Sequence, residues 1–579
     1  VSGLSSVAFP AFQLPDHQLF ASFVLNHVSN DLGTRHGGCA NRHFIVFADQ
    51  KDAIECHGLP AFGGQLLDLD LVAFANAVLF TAGFENCVHS VTQKSQQLKQ
   101  TPGQLSTAIL RVDRCPKTSY HLRAMTLTEK ILARAAGKSH VRAGDNVWVD
   151  ADILMTHDVC GPGTIGVFKR EFGKNAKVWN KDRVVIIPDH YIFTCDPKSN
   201  RNVDILREFV REQEITYFYD VIDDPVGSWR FDPAAGPLKR QHGSHYAGVC
   251  HVALPQKGHT RPGEVLFGTD SHTCMAGAFN EFATGIGNTD AGFVLGTGKL
   301  LLKVPATMHF RLEGKLQPGV MAKDIILHLI GEIGFDGATY RALQFSGSGI
   351  AHLSMDDRMT IANMAIEAGA KNGIFPFDGR TAEYVDARTK LNGTKTTYEP
   401  VEPDLDQTFV SEHVIELDKL EPTVACHPDP AQRRLARELG HVKLDRAYIG
   451  SCTGGKTSDF IEFARILRGR RVAIDTFGVP ATPEIVHELK STRWGGKPVW
   501  QILVDAGVNL TENPGCAACL GGPLDTFGRV NSPLKCISTT NRNFPGRMGH
   551  KESQVFLASP ATVAASAVAG RIVDPREYL

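Results

Sequence analysis

The chain has 579 residues, 42% of them hydrophobic, which is apolar material for roughly three or four cores of ordinary domain size. Lys and Arg (61) balance Asp and Glu (62), and a formal charge of -1 excludes the broad basic field that a nucleic acid or an anionic membrane requires. Thirteen cysteines are too sparse for a secreted disulfide scaffold and, being odd in number, cannot all pair; a reducing compartment is expected.

No run of about 18 apolar residues escapes interruption by Lys, Arg, Asp, Gly or Pro, so no membrane helix is expected. Residues 1–124 scatter Phe and His without a sustained period and read as an N-terminal extension. Between residues 86 and 124 the sole acid is Asp113, while Lys94, Lys99, Arg111, Arg114, Lys117 and Arg123 gather among Ser and Thr, as in organelle transit peptides. A disordered linker or a mispredicted first exon accounts for the same composition.

From Met125 onward short buried strands alternate with amphipathic helices. RVVII (183–187) leads to a helix over 199–213 and then to ITYFY (215–219), the pattern of an α/β protein with largely parallel sheets. AGFVLGTGKLLLK (291–303) has the look of a phosphate loop but lacks the G-x-x-x-x-G-K-[ST] spacing, which disfavours nucleotide binding. A polar, turn-rich stretch from Asn392 to Thr408 is expected to join two domains. Farther on, a strand over 444–450 runs into Ser451 and Cys452, and a helix over 457–467 follows. Cys452 is thereby expected at the carboxyl end of a strand, where open α/β sheets hold ligands.

The strongest chemical signal is GSCTGG around Cys452 together with NPGCAACLGG, in which Cys516 and Cys519 form a C-x-x-C pair. Three thiolates can hold an iron–sulfur cluster with one iron left open. The same spacing fits a zinc site completed by Cys536 or His550, or structural thiols, and spacing alone leaves these open. Asp189-His190 and Asp270-x-His272 each set a carboxylate beside an imidazole, an arrangement that can orient and charge a general acid. Arg542 and Arg547 offer guanidinium forks that match carboxylates. Taken singly, a histidine is more often a satisfied structural residue and an arginine a surface ion pair.

The longer stretches 268–292, 449–460 and 539–551, with ILMTHDVCGPG (153–163), PDHYIF (188–193) and NMAIEAGA (363–370) in the same order, resemble the aconitase superfamily over roughly residues 125–579. The resemblance implies three α/β/α domains of the aconitase large-subunit type around a central 4Fe-4S site. Their expected limits are 125–305, 306–410 and 411–579, the last carrying the cysteines, behind a poorly structured extension at 1–124. It implies a hydro-lyase that isomerises a 2-hydroxy diacid by removing and returning water. The expected substrate is 2-isopropylmalate in leucine biosynthesis, with homocitrate or a methylthioalkylmalate as alternatives. His157 stands where the citrate-specific members usually carry Gln.

By the same resemblance Cys452, Cys516 and Cys519 hold one 4Fe-4S cluster with an open iron. His190, paired with Asp189, protonates the leaving hydroxyl, and Asp270, His272 and Glu367 handle the water. His251 and His157 line the site, Arg542, Arg547 and Ser271 bind substrate, and Asn541, Asn363 and Ser451 surround the cluster. Single-chain members continue into a swivelling domain that carries the catalytic base. This sequence closes at DPREYL before such a segment, so a separate small subunit is expected as partner, with no nucleic acid and no membrane. The plastid stroma is the expected location, the cytoplasm the alternative. Two readings of another class stay open: an RNA-binding, cluster-sensing regulator, which the near-neutral charge opposes, and a structural zinc protein.

Overall fold

The computed structural model describes residues 124–221 and 246–579, together with the backbone of two strands, His43–Ala48 and Asp52–His57. Those two strands pair antiparallel with each other. The other expectations for residues 1–124, a transit segment or an unstructured extension, fall outside the described residues. No described helix is long and apolar enough to cross a membrane.

Three parallel-rich sheets organise residues 120–579. The first has five parallel strands in the order Tyr217–Phe218, Val184–Ile186, Ile153–Thr156, Val265–Gly268 and Phe282–Gly285. Its strands are continuous apolar runs because both faces are covered. Leu154, Val184, Ile186 and Phe267 pack with Phe168 and Phe209 of the helices Gly161–Phe172 and Pro197–Gln213. The alternating residues Met155, Val185 and Leu266 pack with Cys250, Ala253 and Ala276 on the opposite face. Asp196 starts the helix Pro197–Gln213 by accepting the Ser199 N–H at 2.8 Å, with proline at the first helical position where its missing N–H costs nothing.

The stretch that resembled a phosphate loop is instead the end of the helix Asn288–Thr297, closed by Gly298 at φ +69° and followed by the strand Lys299–Lys303. Helix then strand reverses the order a phosphate loop needs.

The second sheet has four parallel strands, Asn372–Ile374, Arg341–Ser346, Ala306–Glu313 and Ser411–Glu416. The 392–408 stretch, expected to join two domains, leads into this same sheet. It delivers the chain to Ser411–Glu416, which pairs with Ala306–Glu313, so the second sheet extends past residue 410. The stretch is also anchored rather than free. Asn280 Oδ1 accepts the buried Val401 N–H at 2.9 Å, and Asp404 accepts the Met125 N–H at 2.7 Å.

The third sheet has seven strands, ordered Arg433–Leu435, Thr423–Ala425, Gln554–Ala558, Lys535–Ser538, Arg446–Ile449, Asp475–Gly478 and Asn509–Leu510. Its two outermost pairings on the Arg433–Leu435 side are antiparallel and the rest are parallel. The helix expected over 457–467 spans Thr457–Leu467.

Each of these sheets has a point where its strand order reverses, the second between Ala306–Glu313 and Ser411–Glu416. In the first sheet the reversal lies between Ile153–Thr156 and Val265–Gly268, and in the third between Arg446–Ile449 and Lys535–Ser538. At such a switch the connections leave in opposite directions, and the carboxyl ends of the two strands open a crevice for ligand.

Candidate active site

Residues that follow three neighbouring strands of the first sheet, the two at the switch point among them, converge. His157 and Asp158 follow Ile153–Thr156, Asp189 and His190 follow Val184–Ile186, and Asp270 to His272 follow Val265–Gly268. The buried Asp158 carboxylate accepts the N–H groups of Asp189 (2.8 Å), His190 (3.0 Å) and Tyr191, which fixes that loop. Asp189 is fully buried; one oxygen meets His190 Nδ1 at 2.6 Å and the other accepts the Cys250 N–H at 2.7 Å. His190 Nε2 is left facing Asp270 Oδ2 at 3.8 Å, and its ring lies 4.5 Å from that of His157.

Asp270 is the hub of the imidazoles. Its Oδ1 meets His251 Nε2 at 2.9 Å and accepts the His272 N–H at 2.8 Å, while Oδ2 lies 3.8 Å from His157 Nε2. His272 Nε2 in turn meets Glu367 Oε1 at 2.8 Å. Arg542 closes the chain of groups: its Nε lies 2.9 Å from both Glu367 oxygens and its Nη2 donates to Ser271 Oγ at 3.0 Å.

Electrostatics follow from this layout. Burial alone would depress His190, but the Asp189 carboxylate and its hydrogen bond, then Asp270 and Asp158, push it up to about 10. His272 is raised to about 9, burial being outweighed by its bonds to Asp270 and Glu367. Burial would raise Glu367, yet Arg542 and His272 draw it down to about 2. His157 moves the other way: burial first, then the neighbouring His190 charge, lower it. Its Nδ1 accepts the Val159 N–H at 3.2 Å, which leaves a hydrogen on the buried Nε2 with no protein partner. The site therefore holds a charged imidazole beside a neutral one.

The thiols come from the third sheet. Cys452 follows Arg446–Ile449 after Ser451, which takes the left-handed conformation at φ +70°. Gly454 is needed next: a Cβ there would lie 2.2 Å from Thr539 Cβ. Cys452, Cys516 and Cys519 are all buried, and Cys516 interacts with both of the others. Hydrogen bonds to Cys516, and then His272 and His251, hold the Cys452 thiol well below its ordinary value against the cost of burial. Asn363 and Asn541 direct amide N–H groups at Cys452 Sγ, at 3.2 and 3.5 Å, and bond to each other. Ser451 Oγ donates to Asn541 Oδ1 at 3.3 Å.

The residues expected as catalytic, substrate-binding and cluster-holding thus lie in one neighbourhood. Arg547 has the loosest place, with a buried Nε that lacks a protein partner but a charge that acts on Cys519. Cys536 and His550, the possible fourth zinc ligands, are engaged elsewhere: the Cys536 thiol meets the Ile537 carbonyl at 3.6 Å and His550 Nδ1 accepts the Glu552 N–H at 3.2 Å. Sequence reading missed Asp158, whose only signal was its place beside His157. It also missed Lys323 and the buried Tyr448, which carry no motif, and Lys456, which lies within the 449–460 stretch.

The class is defined by this combination of switch-point thiols and a carboxylate–imidazole–guanidinium chain. The family model of the aconitase family (aconitate hydratase) matches residues 129–436 and 432–570, and the chain belongs to that family. It is 56% identical over 473 residues to the chloroplastic 3-isopropylmalate dehydratase large subunit of Arabidopsis thaliana, covering 81% of this chain and 89% of that protein. It is 42% identical over 456 residues to 3-isopropylmalate dehydratase large subunit 1 of Methanopyrus kandleri, covering 78% of this chain and 99% of that protein. The crystal structure of Thermococcus kodakaraensis aconitase X (holo-form) aligns at 12% identity and a TM-score of 0.39, over 71% of this chain and 89% of that one.

Proposed function

We propose that this chain is the large subunit of a 3-isopropylmalate dehydratase, which isomerises 2-isopropylmalate to 3-isopropylmalate by loss and return of water in leucine biosynthesis. The observation that carries the reading is the convergence of Cys452, Cys516 and Cys519 with the His190–Asp189 and Arg542–Glu367–His272 chains. Aconitase-family proteins carry a 4Fe-4S cluster, and the residues here fit one. Three buried sulfurs, Cys516 in reach of both others, with the amide groups of Asn363 and Asn541 directed at Cys452, suit an iron–sulfur core.

When bound, the cluster supplies an open iron as Lewis acid toward the substrate hydroxyl and a carboxylate. His190, oriented and charged by Asp189, keeps a proton at Nε2 and gives it to the departing hydroxyl. Asp270 holds His251 and His272 in place and, with Glu367, moves the protons of the water that leaves and returns. Arg542, braced by Glu367 and Ser271, and Arg547 hold the substrate carboxylates by guanidinium forks. His157, neutral, hydrogen-bonds the substrate through Nε2.

A separate small subunit supplies the base that removes the carbon-bound proton and closes the site. The plastid stroma is the proposed location, on the likeness to the chloroplastic relative. The proposed domain limits are 125–305, 306 to just past 416, and the remainder to 579. Anaerobic reconstitution with iron and sulfide is expected to give a brown protein absorbing near about 400 nm. It is expected to act on 2-isopropylmalate only with the small subunit present. Preference for homocitrate assigns the alternative substrate; colourless protein with stoichiometric zinc overturns the reading.

A further inference from the structure

We infer that Lys323 is a positioning residue for this site, a buried ammonium that ties the Cys452 loop to the loop carrying Asn541 and Arg542. The inference rests on the cluster reading above for its electrostatic part and on geometry alone for the rest.

Lys323 lies on the helix Ala322–Ile333, is 1% exposed, and belongs to none of the catalytic pairs. Its Nζ is 2.6 Å from the carbonyl of Thr539, 2.6 Å from that of Thr540 and 3.3 Å from Thr453 Oγ1. Thr453 directly follows Cys452, and Thr540 directly precedes Asn541 and Arg542. The Thr453 hydroxyl spends its hydrogen on the Thr539 carbonyl at 2.8 Å, so it can only accept from Lys323. Three acceptors need three N–H groups, and only the ammonium has three.

That charge has no carboxylate beside it. Among the described residues no Asp or Glu oxygen lies within 4.0 Å of Lys323 Nζ, whereas its buried neighbour Lys456 has Asp459 at 2.9 Å. Asp324, next in sequence, is occupied by the N–H groups of Met321 and Thr423, each at 2.8 Å. A buried ammonium left without negative charge costs several kcal/mol. Burial draws Lys323 down to about 7 and Lys456 adds to this, while Cys519, the more distant Asp459 and Cys452 pull it back up, so the thiolates and the cluster they hold supply most of the counter-charge. Lys323 therefore does two things: it offsets the anionic charge of the cluster environment, and it fixes two adjacent carbonyls so that Asn541 meets Cys452 and Arg542 meets Glu367.

The test uses Lys323→Met in the full chain paired with its small subunit, and Thr453→Val as a nearly isosteric second variant that removes only the hydroxyl. Three readouts are compared with the unaltered protein: amide hydrogen exchange at 539–543, anaerobic iron release to a chelator, and the split between KM and kcat. Lys323→Met is expected to speed local exchange and iron release by about tenfold or more, the range for groups that orient metal ligands, and to raise KM through the displaced Arg542. Thr453→Val is expected to move exchange and iron release the same way by less. Exchange and iron release within about twofold of the unaltered protein overturn the inference; should Lys323→Met fail to fold, unchanged exchange in Thr453→Val overturns it alone. If the unaltered protein takes up no cluster, the function reading fails while the exchange comparison on apo-protein still decides the positioning role.

Discussion

The backbone carbonyl of Asp189 accepts the N–H of Cys516 at 3.0 Å, so the residue whose carboxylate charges His190 is tied through its main chain to the first cysteine of the C-x-x-C pair. The proposed general acid and the loop proposed to hold the cluster are thereby held at a fixed separation. A proton donor must stay within about an ångström of its productive place, and this bond spans two different sheets to achieve that.

Replacing Asp189 by Asn removes the charge that lifts His190 to about 10. In the unaltered protein the imidazolium is the folded-state form below that value, so the acid stays charged through neutral pH. In Asp189→Asn the proton is lost at lower pH. The alkaline limb of the kcat profile is expected to move toward neutrality, with kcat lower by about 10²-fold at pH 8. Steady-state rates across pH check this; an unmoved alkaline limb refutes the assignment of His190 as acid.

Arg542→Lys keeps a positive charge but cannot bond both Glu367 oxygens through one nitrogen while reaching Ser271 with another. A fall in kcat/KM of about 10²-fold, or about 2.7 kcal/mol, is expected. The effect is to appear in KM at least as strongly as in kcat if the guanidinium binds a substrate carboxylate.

Gly454→Ala places a methyl 2.2 Å from the Thr539 side chain, at the junction that Lys323 also holds. The Cys452 loop and the strand end at Thr539 must separate, which is expected to cost about 1–3 kcal/mol. Denaturant unfolding measures that loss, and iron content per chain after reconstitution is expected to fall with it.

How much of this was legible in the sequence depends on the range of each interaction. Cys452, Asp189-His190 and Asp270-x-His272 stand in short motifs at strand ends that local pattern could single out, but their grouping was implied by the family resemblance; the helix over 457–467 was readable to its ends. Lys323 was not, because AKDIILHLI has the period of a half-exposed helix and nothing local reveals that this lysine points inward. Ser411–Glu416 was missed for a related reason: it is an edge strand with mostly exposed or half-buried residues, so its apolar signal was too weak to outweigh the polar stretch before it.

Stability toward acid is expected to report on His259, far from any motif. It is 1% exposed, meets the Tyr219 hydroxyl at 2.7 Å through Nε2, and is drawn down to about 3 by burial and then by Arg261 and Lys257. The unfolded chain binds the proton near 6.5 and the folded chain near 3, so the stability present above pH 6.5 is lost as pH falls through that window. A loss on the order of a few kcal/mol is expected between those limits, measured by urea unfolding at a series of pH values. His259→Gln is expected to flatten the slope in that window.

The run from His272 through Glu367 to Arg542 takes one member from the switch strand of the first sheet, one from the region of the second and one from the third. Exchanging any one of these regions for the corresponding piece of a distant relative breaks two partnerships at once and leaves a charged group stranded in the interior. Chimaeras built within this chain are therefore expected to work only when all three regions travel together, which makes the large subunit a single inheritable unit rather than an assembly of swappable parts.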